Sequence, residues 1–149
     1  MDPRREPSES ARLGASTRWG MAALAVGITV VFAVARWLEP DPSGLGTHRQ
    51  LGLPGCPFIR TTGKPCPSCG MTTAFAWFVR GRPEKSFRAN PAGALLAASF
   101  VVLVPWLVIG ASVSKTPGFR SLEPPLIGLA AITLAVSLFS WTIQLVRLS

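Results

Sequence analysis

Three uncharged or nearly uncharged apolar stretches, each about 20 residues long, constrain this chain more than any motif in it. Residues 19–38, WGMAALAVGITVVFAVARWL, carry a single charge, Arg36, close to the end of the run. At about 1.5 Å of rise per residue, a helix of that length covers about 30 Å, the thickness of a bilayer's hydrocarbon core. Trp19 and Trp37 flank the run where aromatic belts sit, and Arg18 and Arg36 are placed to snorkel to the headgroups. Residues 92–113 are uncharged and contain Pro105, which removes a backbone hydrogen bond and predicts a kink. Residues 126–146 are uncharged as well, with Pro124 and Pro125 at their start, where a missing N–H does no harm.

Buried helices of soluble proteins seldom need apolar runs this long. The expected fold class is therefore an all-α membrane protein with three transmembrane helices at about 19–38, 92–113 and 126–146. Residues 1–17, with Pro3, Pro7, Ser8 and Ser10, read as a disordered tail, and 18–149 as a single membrane domain. A cleaved signal peptide is the rival reading of the first run, because Ala33-Val34-Ala35 imitates a cleavage site. The long basic region before it and the continuation through Trp37-Leu38 argue for a span instead.

A net charge of +8 and a pI near 11.1 would suit nucleic acid if the charges formed a basic run. They frame the apolar stretches instead, which points to anionic lipid headgroups and away from nucleic acid. With three spans, the N-terminus and the 114–123 connection share one side, while residues 36–88 and the C-terminus share the other. Six basic residues then face nine, and the positive-inside rule puts the segment between the first two spans on the cytoplasmic side.

That segment, residues 53–91, carries the chain's only distinctive chemistry. Glu39-Pro40-Asp41-Pro42 ends the first span, and loop structure is expected up to Pro65. From Cys66 a helix of about 15 residues is predicted, because Pro67 suits a first helical position and no breaker follows before Arg80. Met71, Ala74, Phe75 and Phe78 would share one face, with Thr72, Thr73, Ala76 and Arg80 largely on the other. Too short to span, this helix reads as interfacial or re-entrant, with Trp77 near the headgroups. Asn90-Pro91 is expected to cap the second span.

Cys56-Pro57, Thr62-Gly63, Cys66-Pro67-Ser68-Cys69-Gly70-Met71-Thr72, Arg80-Gly81 and Asn90-Pro91, in that order, resemble the DUF2752 family of small prokaryotic membrane proteins. The resemblance implies a multi-pass protein of the bacterial cytoplasmic (inner) membrane and carries no assigned activity. The family pattern reads CP-x-CG-x-T-R-A, and Thr73 stands where the arginine would be.

Three chemistries compete for the cysteines. Cys56, Cys66 and Cys69 with His48, the only histidine, make a Cys3His zinc set, which is a common structural combination. Cys66 and Cys69 also have the spacing of thiol-disulfide exchange, with Cys66 at a helix start that would lower its pKa and Cys56 as a third thiol. The third reading is packing, with small apolar thiols beside turn-forming Pro and Gly. Arg60, Lys64, Arg80 and Arg88 are expected at lipid headgroups.

Other catalysis finds no support, since the seven acidic residues sit in tails and loops and only His48 could activate a hydroxyl. The expected role is a non-enzymatic membrane component that binds a partner protein, a second copy or lipid through the motif segment. A membrane thiol-disulfide oxidoreductase and a zinc-stabilised binding module are the alternatives.

Overall fold

The computed structural model describes residues 14–113 and 123–147, and every regular element among them is helical. The tail up to residue 13, the 114–122 connection used in the charge comparison, and the side chain of Arg147 lie outside the described residues. Helix α1, Ala15–Trp37, takes up the first apolar run and ends at extended Leu38, just before Glu39-Pro40. A short 3-10 turn, Thr47–Leu51, and helix α2, Pro57–Thr62, interrupt the region expected to be loop. Helix α3, Met71–Phe78, and helix α4, Pro83–Ala89, follow. The two long helices that close the chain are α5, Pro91–Val113, and α6, Glu123–Arg147.

Prolines start α2, α4 and α5, where an absent N–H leaves no hydrogen bond unmade. The same signal fails at Cys66-Pro67, where the expected helix from Cys66 to Arg80 does not begin. Residues 66–70 form tight turns instead, with Cys69 N–H bonded to the Cys66 carbonyl and Met71 N–H to that of Ser68. Gly70 then takes a positive φ of 83° before α3 starts. α3 is also more enclosed than its periodicity suggests: Thr73 and Ala76, expected away from the apolar face, are as completely buried as Ala74.

Helix α5 is the hub and packs against α1, α3, α4 and α6. One cluster joins Met21, Ala25 and Ile28 of α1 to Leu107 of α5. A second joins Ala35, Phe75 and Ala97, with Phe32, Phe75 and Phe100 in contact at ring-centroid distances of 5.9–6.3 Å. Arg18 at the start of α1 donates to the Ala111 carbonyl near the end of α5, so the two helices run antiparallel. Gly93 permits their close neighbour α3 to approach, because a Cβ there would sit 3.0 Å from that of Ala74.

Two helices, Ala15–Trp37 and Pro91–Ser112, are long and apolar enough to cross a membrane, and the apolar part of α6 described here, Leu126–Thr142, is shorter. Only 22% and 28% of the two long apolar windows are buried within the protein, so most of their surface faces outward. Side chains such as Val102 and Phe139, 71% and 70% exposed, suit a hydrocarbon surrounding better than water.

Candidate metal centre

The 52–70 stretch folds around its cysteines. Cys56 immediately precedes Pro57 at the start of α2, while Cys66 and Cys69 bracket a four-residue turn. The Sγ atoms of Cys56, Cys66 and Cys69 all lie within 4.8 Å of one another, and all three residues are half-buried, free cysteines. The Cys66 and Cys69 sulfurs are 2.8 Å apart, and the Cys66 N–H donates to the Cys69 sulfur at 3.1 Å.

Four contacts from distant parts of the chain hold this turn. Asn90 donates its amide to the carbonyls of Cys69, at 2.9 Å, and Pro67, at 3.3 Å. Its Oδ1 accepts from Gly93 N–H at 2.8 Å, so one side chain caps α5 as expected and also fixes the cysteine turn. From α6, Ser137 donates to the Pro67 carbonyl at 2.9 Å and the Trp141 indole to that of Pro65 at 2.8 Å. These bonds hold the Pro65 and Pro67 carbonyls on α6 and Asn90, which explains why no helix starts at Pro67. Gly70 lies so close to the α4–α5 junction that a Cβ would come within 2.5 Å of the Ala89 carbonyl oxygen.

The thiols are electrostatically unlike. Cys56 is held below the ordinary thiol value, first by the Ile59 N–H at the start of α2. Burial, helped by the neighbouring Cys66 thiol, pushes Cys69 up to about 12. A cation among the three sulfurs would reverse that penalty, since a coordinating thiol is deprotonated.

The cysteines open on a cavity of about 400 Å³ that is also lined by Asp41, His48, Arg49, Met71 and Thr72. His48, expected as the fourth ligand, shares this cavity but stands outside the sulfur cluster, and its Nε2 pairs with the Pro54 carbonyl at 3.2 Å. Thr73, in the place of the family's arginine, is fully buried and shares a 2.8 Å hydrogen bond with Thr47. Thr47 in turn accepts from the Asp41 N–H, so Thr73 braces the cavity's far wall.

The remaining motif residues serve local structure. Thr62 bonds the Phe58 carbonyl and accepts from Lys64 N–H, and Gly63 ends α2 with a φ of 70°. Arg80, expected at the headgroups, caps the end of α1. Its guanidinium donates to the carbonyls of Ala35, Arg36 and Leu38 and to that of Ala76, which satisfies the end of an apolar helix. Arg60 and Arg88 are exposed and Lys64 half-buried, with Arg88 paired to Glu84.

Sequence reasoning missed Ser137 and Trp141. Their signal was present: a hydroxyl and an indole N–H within an apolar run each need an acceptor. No curated protein and no solved structure matches the chain. Residues 56–104, which take in all three cysteines, Asn90-Pro91 and the first half of α5, match the model of DUF2752, described as a protein of unknown function, and so bear out the resemblance read from the motifs.

Proposed function

We propose that this is a non-enzymatic, three-span protein of the bacterial cytoplasmic membrane whose motif segment is a thiol-built binding module for a thiophilic metal ion. The observation that carries this reading is the convergence of all three cysteines within 4.8 Å. Packing alone gives no reason for thiols from two separate stretches to meet, and a two-thiol exchange reaction needs only two. Three thiolates supply the deprotonated sulfur that zinc and other soft ions prefer. Bound metal would stiffen the turn between α2 and α3 and so present a fixed surface to a partner protein, a second copy or lipid, with Arg60, Lys64 and Arg88 toward headgroups.

The third span is α6, whose Ser137 and Trp141 meet the motif segment and so bring its later half to that end of α5. A second reading, thiol-disulfide exchange, is favoured by the 2.8 Å Cys66–Cys69 pair and by the lowered pKa of Cys56.

The test is metal per chain and free thiols, measured on protein purified in detergent, for the native sequence and for Cys66→Ser and Cys69→Ser. Stoichiometric metal that is lost in both variants supports the module. A metal-free disulfide that equilibrates with glutathione replaces it with the exchange reading. Three metal-free thiols that react only after denaturation leave packing.

A further inference from the structure

The metal-binding reading says that a soft ion is held; the donor set goes further and says which. We propose that the centre is built for monovalent copper in a three-coordinate, all-thiolate site, an inference that rests on the metal-binding reading above. The three sulfurs form the cluster by themselves: among the described residues, no imidazole or carboxylate ligand atom joins them within 4.8 Å. His48 has its Nε2 against the Pro54 carbonyl, and Asp41 has one carboxylate oxygen engaged by the N–H and hydroxyl of Ser43. The further soft donor lining the cavity is the Met71 thioether.

Structural zinc is almost always four-coordinate, and this cluster is one ligand short of that. Monovalent copper is softer than zinc toward thiolate and, as a filled-shell ion of low charge, is satisfied by three sulfurs in a plane. Sulfurs about 2.3 Å from a central ion would stand about 4 Å apart, inside the observed envelope. The Cys56 sulfur lies within 4.8 Å of both others, and the Cys66–Cys69 pair, at 2.8 Å, must open by about 1 Å, a change that side-chain rotation supplies.

Charge agrees with this assignment. Three thiolates around a monovalent ion leave a net negative centre, and Arg49 lines its cavity. The Arg49 guanidinium lies so close to the chain just before Cys56 that a Cβ on Gly55 would come within 2.7 Å of it. A cation there offsets the thiolate charge without itself binding metal.

The experiment uses the full chain in detergent, purified from cells supplied with both copper and zinc and reloaded anaerobically with each metal alone. Expected are one copper per chain retained against a copper(I) chelator, and an X-ray absorption shell of three sulfurs with no imidazole. His48→Ala should keep that copper, while Cys56→Ser, Cys66→Ser and Cys69→Ser lose it and Arg49→Ala weakens it about tenfold. Gel filtration and helical circular dichroism report whether each variant folds, and the absorption shell of the native protein decides the matter if the cysteine variants do not. Zinc retained with a fourth nitrogen or oxygen ligand, and copper surrendered, would overturn the copper assignment while leaving the metal reading intact. Neither metal retained would remove both. Copper held equally by Cys56→Ser would mark it as adventitious and overturn the assignment.

Discussion

At the scale of single residues, the cysteine turn depends on side chains that never touch a sulfur. Gly70→Ala forces a Cβ against the Ala89 carbonyl at a φ of 83°, so two penalties combine. A loss of about 3 kcal/mol is expected, read as a lower thermal midpoint in detergent, with reduced metal retention. Asn90→Ala removes a helix cap and two bonds into the turn and should cost about 2–3 kcal/mol. The thiols should also react in order. In metal-free protein Cys56, held below the ordinary value, is expected to alkylate first at neutral pH, and Cys69 last. Mass spectrometry after brief alkylation gives the order, and Cys69 labelling should rise steeply only as the pH climbs from 9.0 toward about 12. The sign follows from a raised folded pKa: the stability gained from the protonated Cys69 is complete below pH 9.0 and fades through that same interval.

Among the helices, capping by distant side chains replaces the local signals on which sequence reading relies. Arg80 ends α1 from across the fold, so Arg80→Ala should fray α1 at Ala35–Leu38 and lower stability by about 2 kcal/mol, whereas loss of a mere headgroup contact would leave stability in detergent unchanged. Hydrogen exchange confined to that end of α1 is the measurement. Trp141→Phe keeps the ring that meets Phe58 but strands the Pro65 carbonyl, with an expected cost of about 1–2 kcal/mol and a looser cysteine turn. The long elements were legible because uninterrupted apolar runs bounded by Glu39-Pro40 and Asn90-Pro91 leave the backbone no alternative. The short ones were not. Pro57, Pro67 and Pro83 offer the same local cue, yet Pro67 alone has its carbonyl claimed by Asn90 and Ser137.

For the whole molecule, antiparallel α1 and α5 make a two-helix frame that α3 enters at one end and α6 flanks, and the thiol cavity sits at that end. If α6 completes a third span, reporter fusions after residue 50 and at the C-terminus should give the same cytoplasmic signal, and an N-terminal fusion the opposite one. Opposite signals at residue 50 and the C-terminus would leave α6 outside the bilayer. The sequence alone determined the helical class, the C-terminal end of α1 and the start of α5, and the set of cysteines, because hydrophobic length and Pro-Gly punctuation act locally, whereas the start of α1 at Ala15 lies four residues before the expected one. Only the tertiary structure decided that Cys56 joins Cys66 and Cys69, that His48 stays apart and that Arg80 caps a helix. Those outcomes depend on which unsatisfied carbonyls and donors from remote segments meet when the chain folds, and spacing along the chain does not encode that pairing.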